Sequence, residues 1–207
     1  MKLPSILRVI PLLCACGGLQ AATLDVLVTN ASGAPVADAV VHVYPKSGTA
    51  PARKREGEIA QIDKTFVPLV TVVQTGTPVQ FPNRDTTRHH VYSFSPPKPF
   101  ELKLYVGTPT APVVFDKPGE VVLGCNIHDH MIAYVFVVET PWFAKSGPDG
   151  RAKVEGLPAG DFEAKLWHYA QALPPPAPKD IRLRADESAT TEWKVTVRPT
   201  PPRPAPR

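Results

Sequence analysis

Short runs of alternating or β-branched apolar residues recur along the chain, separated by turn residues such as Asn30-Ala31-Ser32-Gly33 and Gly147-Pro148-Asp149-Gly150. Successive side chains of a strand point to opposite faces, so these runs predict half-buried β-strands. No stretch of ten residues keeps a period of 3.6 without a break at proline or glycine, which argues against long helices. The predicted strands are residues 24–29, 39–44, 58–63, 66–73, 78–82, 89–94, 100–106, 112–116, 120–124, 131–139, 151–155, 161–169, 181–185 and 191–197.

The predicted strands fall into three series, which suggest two β-sandwiches in an all-β chain. Residues 57–139 supply about eight strands, enough to close one sandwich of ordinary size. The shorter series in residues 23–56 and 140–197 are predicted to form a second, split sandwich. Residues 198–207 hold five prolines and three arginines. Such a composition predicts a disordered, solvated tail.

The N-terminus has the order of regions typical of a secretory signal. Lys2 and Arg8 precede an apolar run at residues 9–15. Small residues follow this run, and Leu19-Gln20-Ala21 offers a cleavage site. The run is too short to span a bilayer. We therefore predict a signal peptide at residues 1–22, a periplasmic location and no membrane span. A lipoprotein signal ending at an acylated Cys16 is the less favoured alternative.

Composition and charge narrow the classes of partner. A length of 207 residues allows one domain or two small ones, and 26 prolines fit short strands and loops better than helices. Removal of residues 1–22 lowers the formal charge from +4 to about +2, because two basic residues and no acidic residue are lost. The remaining basic residues are scattered among acidic ones, so no nucleic-acid partner is predicted. Removal also takes away Cys14 and Cys16, which leaves Cys125 without a partner for a disulfide within the chain.

Candidate chemistry is concentrated between Gly124 and Met131. Cys125, His128 and Met131 offer a thiolate, an imidazole and a thioether at offsets of three and six on one loop. Soft sulfur ligands with imidazole favour copper, and two histidines, one cysteine and a weak axial methionine form the blue-copper electron-transfer site. Such a site needs one more histidine, and the sequence Arg88-His89-His90 provides it.

Each of these residues also has an ordinary structural explanation. A lone cysteine is often a small core residue, a methionine at a strand start can simply pack, and loop histidines are commonly solvated. Their distribution nevertheless favours a copper site. Of the six histidines, four lie in the two segments that the site requires: His89, His90, His128 and His130. The only methionine besides the initiator is at the required offset.

These motifs resemble those of the small blue copper proteins, the cupredoxins, most closely the amicyanin and plastocyanin type. The resemblance covers residues 58–139 and includes Pro78-Val79-Gln80-Phe81-Pro82-Asn83-Arg84 before His89, Phe115-Asp116-Lys117-Pro118-Gly119-Glu120, and Cys125-x-x-His128-x-x-Met131. It implies a non-enzymatic protein that transfers single electrons through one copper ion, cycling between Cu(I) and Cu(II). The implied ligands are His89, Cys125, His128 and Met131.

The chain departs from the family pattern next to the first histidine. His90 stands where the family usually has an asparagine, and Arg88 where it often has a proline. The choice between His89 and His90 as ligand therefore stays open, since strand alternation alone does not settle it. His90, His130 and Asn126 are further candidates to bind or support the metal.

The resemblance also implies how a partner would approach. In the family the edge of the loop histidine, here His128, reaches solvent. An apolar docking patch would then be formed by Ile127, Ile132, Pro96 and Pro97. The expected partner is a redox protein, such as a dehydrogenase, a cytochrome or an oxidase, that docks through a small transient interface.

The flanking segments carry a second resemblance. Residues 25–44 look like the first hairpin of a carboxypeptidase-regulatory or transthyretin-like module, and residues 150–162 resemble its later hairpin. Chains of this combined kind are similar to bacterial proteins loosely described as methylamine utilisation proteins, a description that establishes no pathway.

Several other functions compete with electron transfer. A periplasmic copper carrier would use the same donors at a more exposed site, and a structural β-module would use none of them. A multicopper oxidase or nitrite-reductase-like enzyme would need further copper ligands, and its cysteine is typically flanked by histidine, whereas Cys125 is flanked by Gly124 and Asn126. Zinc is a further alternative, although a methionine ligand disfavours it.

Overall fold

The computed structural model describes residues 21–172 and 174–199, and the regular elements in these ranges are all β-strands. The strands are β1 (Ala22–Asn30), β2 (Val40–Pro45), β3 (Gly57–Glu58), β4 (Ala60–Ile62), β5 (Thr65–Val67), β6 (Val70–Gln74), β7 (Thr77–Gln80), β8 (His89–Ser93), β9 (Phe100–Tyr105), β10 (Val113–Phe115), β11 (Gly119–Cys125), β12 (Ile132–Val138), β13 (Phe143–Lys145), β14 (Arg151–Leu157), β15 (Gly160–Trp167), β16 (Lys179–Leu183) and β17 (Ser188–Val195).

One sandwich is built from both ends of the described chain. Its sheets have the strand orders β14-β1-β17 and β13-β2-β15-β16. β1 pairs antiparallel with β14 and parallel with β17, and its alternate residues Leu24, Val26 and Val28 are buried in the core between the sheets. The segments on either side of the middle series thus contribute strands to both sheets and share one core.

The middle of the chain forms another sandwich with its own core. A five-stranded sheet, β6-β12-β11-β8-β9, faces a three-stranded sheet, β10-β7-β3. Val121, Leu123 and Cys125 alternate along β11 and are buried in this core with Phe115 of the opposite sheet. Cys125 therefore ends a central strand with its side chain directed into the sandwich.

The two sandwiches meet through aromatic side chains on the outer face of β12. The indole of Trp167 stacks on Phe136 with ring centroids 4.5 Å apart, and its Nε1–H donates to Oε2 of Glu120 at 3.0 Å. Phe136 alternates along β12 with Val135 and Val137, which point into the middle core. The contact with the flanking sandwich is thus on the opposite side of β12 from the core that contains Cys125.

The all-β prediction is confirmed, with differences in detail. The predicted strand 66–73 is divided into β5 and β6, since Pro68 lies between them and a proline has no N–H to donate to a sheet. β13 was not predicted, because its three residues follow Pro141 and carry no alternating pattern.

Two terminal predictions fall largely outside the described residues. These are the signal peptide, with the alternative acylation of Cys16, and most of the tail from residue 198 onward. Arg198 is described, and its backbone N–H donates to the carbonyl of Ala170 at 2.8 Å. Within the described ranges, no helix has the length and apolar character needed to cross a membrane.

Candidate metal centre

Three metal-binding side chains converge at the end of β11. Sγ of Cys125 lies 3.8 Å from Nδ1 of His89 and 3.7 Å from Nδ1 of His128. The three donor atoms lie within 4.8 Å of one another. His89 and Cys125 are buried and His128 is half-buried, so the group lies at the edge of the middle core and reaches the surface through one histidine.

The two adjacent histidines of β8 point to opposite faces of the sheet. His89, Val91 and Ser93 are buried and alternate with His90 and Tyr92, which are partly exposed. The imidazole of His90 turns away from the cysteine and pairs with Glu101 of β9, with Nε2 and Oε1 2.9 Å apart. The structure therefore places His89, and not His90, beside Cys125.

Met131 lies in the same core as Cys125 and is only 2% exposed. Its backbone N–H donates to the carbonyl of His128 at 3.0 Å, which closes the loop that follows Cys125. Met131 and Cys125 line one shared cavity. The thioether is thus held in the neighbourhood of the cysteine.

The spacing of the donors fits a trigonally bound metal. For bonds of about 2.3 Å to sulfur and about 2.0 Å to nitrogen at an angle of about 120°, sulfur and nitrogen would lie about 3.7 Å apart. The two observed separations between sulfur and nitrogen agree with this value. One thiolate, two imidazoles and a neighbouring thioether form a donor set that suits copper.

Two residues of the loop before β8, Asn83 and Asp85, hold His89 in place. The amide of buried Asn83 donates to the carbonyls of Thr87 and Tyr105, at 2.9 and 2.8 Å, and its Oδ1 accepts the backbone N–H of Asp85 at 2.9 Å. Oδ2 of Asp85 lies 2.7 Å from Nε2 of His89. Asp85, four residues before the histidine, was not among the predicted site residues.

The local electrostatics favour a charged Asp85 and a neutral His128. Burial alone would raise the pKa of Asp85, but backbone N–H groups of Lys64 and Asp63 and the side chain of His89 hold this pKa below its usual value. Burial lowers the pKa of His128, and electrostatic interactions with His89 and Lys64 lower it further. A neutral imidazole is the form that binds metal.

The other candidate supporting residues lie around the same loop. Nε2–H of the exposed His130 donates to the carbonyl of Lys64 at 3.1 Å, which ties the cysteine loop to the turn between β4 and β5. The side chain of Asn126 is exposed, and its backbone N–H donates to the carbonyl of His90 at 3.2 Å. His130 and Asn126 thus connect the loop to its neighbours and are not among the three converging donors.

The predicted docking residues lie in two different places. Ile127 and Ile132 are 44% and 39% exposed, on the cysteine loop and at the start of β12. Pro97 instead lies by Gly119, at the end of β11 opposite to Cys125, and Pro96 precedes it. Phe94, which was not among the predicted docking residues, is 84% exposed and lines a groove with Ile132 and Met131.

Comparison with known proteins gives matches among solved structures alone. No protein-family model matches the chain, and neither does any curated protein. A Cu-containing nitrite reductase from Thermus scotoductus SA-01 is similar over 46% of this chain and 25% of its own, with 27% identity and a TM-score of 0.39. The chain therefore spans about a quarter of that enzyme's length.

Two smaller copper proteins are similar to the chain over nearly their whole length. A purple cupredoxin from Nitrosopumilus maritimus is 20% identical over 40% of this chain and 99% of its own, with a TM-score of 0.36. Amicyanin from Paracoccus versutus is 12% identical over 46% of this chain and 97% of its own, with a TM-score of 0.35.

Proposed function

We propose that the protein is a type 1 copper protein that passes single electrons between redox partners and turns over no substrate. The observation that carries this proposal is the convergence of Cys125, His89 and His128 at separations that a trigonal metal requires. Met131 would supply a weakly bound fourth donor, because it closes the same loop and lies in the same core. A bound copper ion would supply a one-electron couple at this place.

The chain's own residues would hold the donors rigid and shield most of them from water. Cys125 and His89 come from paired neighbouring strands, since Cys125 of β11 is opposite Val91 of β8. Strands fixed in a packed sheet change little when the charge of a bound metal changes, which keeps the cost of electron exchange low. The half-buried His128 is the ligand through which an electron would leave.

The proposal also includes the domain organisation, cellular location and partner of the protein. We assign residues 57–139 to a cupredoxin domain and residues 23–56 with 140–197 to a carboxypeptidase-regulatory-like module. The sequence order of charged, apolar and small residues at the N-terminus supports export to the periplasm. The partner would be a redox protein that docks on the exposed apolar side chains around His128.

Copper titration tests the binding step directly. We expect apo-protein to take up one copper ion per chain, measured by native mass spectrometry, and the slow reaction of buried Cys125 with thiol reagents, which occurs in transiently opened molecules, to stop at the same time. Protection follows because the metal binds the thiolate. Zinc uptake with equal affinity, or copper uptake that leaves the thiol reactive, would contradict the proposal.

Placing a charge at Ile127 should slow electron exchange without disturbing the metal. Ile127 is exposed beside His128, and a carboxylate there would oppose close approach of an apolar partner surface. We expect Ile127→Glu to lower the electron self-exchange rate, measured by NMR line broadening, severalfold or more. The visible spectrum should stay near that of the wild type, because the donors are unchanged.

A matched control and a second assay separate electron carrier from copper carrier. Val114 on β10 has a similar exposure of 42% and belongs to the opposite sheet, so Val114→Glu should leave the exchange rate unchanged. Transfer of Cu(I) to a chelator is measured on the same samples. Unaltered exchange in Ile127→Glu together with rapid release of copper would favour a trafficking role.

A further inference from the structure

Asp85 is the convergence point of three hydrogen bonds from two segments of the chain. Its Oδ1 accepts the backbone N–H of Asp63 at 2.7 Å, and its Oδ2 accepts the backbone N–H of Lys64 at 2.9 Å. The third donor is His89, whose Nε2 lies 2.7 Å from Oδ2. The histidine is fully buried and the carboxylate is 14% exposed, so water competes little for this contact.

This contact determines which nitrogen of His89 carries the proton. Both oxygens of Asp85 already accept backbone N–H groups, so the carboxylate is the acceptor in this contact and Nε2 of His89 is the donor. In the metal-binding form of His89, which carries a single ring proton, that proton is therefore on Nε2. The lone pair is then on Nδ1, the atom that faces Sγ of Cys125 at 3.8 Å. With the opposite tautomer, an N–H group would point toward the cysteine and Nδ1 could bind no metal.

We infer that Asp85 is a positioning residue that holds His89 in the metal-binding tautomer and orientation and, through its charge, favours the oxidised form of the metal. This inference rests on the proposed function only in its second part, the effect on potential. A carboxylate that is hydrogen-bonded to a histidine ligand raises the basicity of the ligand and fixes the orientation of its ring. A more basic donor stabilises Cu(II) more than Cu(I).

The turn between β4 and β5 extends this support to the cysteine loop. Asp63 and Lys64 both have positive φ angles, 51° and 55°, as in the tight turns of hairpins. The turn donates two N–H groups to Asp85 and accepts a hydrogen bond from His130 through the carbonyl of Lys64. The segment that orients His89 is therefore also bonded to the loop that carries Cys125 and His128.

The neighbouring histidine provides a matched comparison. His90 pairs with Glu101 in a contact of similar length, 2.9 Å, but Glu101 is 51% exposed and His90 is not beside the cysteine. Glu101→Gln removes one carboxylate charge next to one histidine, as Asp85→Asn does. Any effect that is specific to the metal centre should appear only in Asp85→Asn.

The first test measures the tautomer in metal-free protein by ¹⁵N NMR of the imidazoles. We expect His89 of the wild type to carry its proton on Nε2. Asp85→Asn replaces an accepting oxygen by a donating NH₂ group, so we expect part or all of His89 to shift to the Nδ1–H form. Glu101→Gln should leave His89 unchanged. A wild-type His89 with its proton on Nδ1 would overturn the inference, whether or not the variant folds.

The second test loads the same proteins with copper. We expect Asp85→Asn to bind copper 10- to 100-fold more weakly, in the range typical for loss of a residue that is hydrogen-bonded to a metal ligand. The potential should rise by about 59 mV for each tenfold loss of preference for Cu(II) over Cu(I). Affinity and potential of Asp85→Asn equal to those of Glu101→Gln would overturn the role assigned to Asp85. Failure of the wild type to bind copper would overturn the proposed function, while the tautomer result would stand on its own.

Discussion

Replacement of Cys125 by serine should abolish the intense visible absorption of the copper-loaded protein and weaken copper binding by orders of magnitude. The absorption depends on the thiolate sulfur, and a serine hydroxyl is a poor substitute for a soft ligand. The protein should still fold, because burial of one hydroxyl costs only about 1–3 kcal/mol. Absorption and circular dichroism spectra of the same sample measure both effects.

Met131→Leu is the matched control for this substitution. It removes the other sulfur of the site while keeping a similar apolar volume in the core. We expect the colour to persist and the potential to change, since the axial ligand tunes a site that the cysteine and histidines define. If Cys125→Ser kept the colour and Met131→Leu lost it, the assignment of the thiolate would be wrong.

Removal of His89 and removal of His90 should have very different effects on the copper spectrum. His89→Ala takes away a donor 3.8 Å from Sγ and leaves Asp85 without its side-chain partner, so we expect the blue-copper spectrum to disappear. His90→Ala removes a contact with exposed Glu101 and an edge contact with the ring of Tyr92. Neither contact involves Cys125 or His128, so the spectrum should change little, while loss of a ring that is only 13% exposed should lower stability modestly.

Copper titrations of the two variants, followed by absorption and EPR, give the comparison. His42→Ala serves as a control for loss of a buried histidine outside the metal centre, since His42 packs against Phe136 at the junction of the sandwiches. It should lower stability and leave the copper spectrum intact. A normal spectrum in His89→Ala with loss of colour in His90→Ala would mean that His90, and not His89, binds the copper ion.

The sequence predicted which side chains belong to the candidate metal centre more completely than it predicted how they are arranged. Cys125, His128 and Met131 could be identified together because they are close along the chain, and their spacing limits how they can fold. The choice between His89 and His90 needed the structure. Burial alternates regularly along β8, with His89 on the buried face, but the two adjacent histidines do not reveal from sequence alone which of them is on that face.

The support around the ligands depends on contacts between distant segments. Asp85 lies 21 residues from Lys64 along the chain, and His130 lies 66 residues from it. Neither separation produces a periodic signal, so a single sequence cannot indicate that these residues meet. Pro97 shows the reverse error, because an apolar residue assigned to the patch near His128 lies at the opposite end of β11.

The most direct test of the central claim is a combined absorption and EPR spectrum of wild-type protein fully loaded with Cu(II). We predict an intense visible band from the bond between the Cys125 thiolate and copper, together with the narrow copper hyperfine splitting that a highly covalent copper–sulfur bond produces. The copper content of the sample must be measured at the same time. A colourless protein with one copper ion per chain and a wide hyperfine splitting would contradict the assignment of a type 1 copper site.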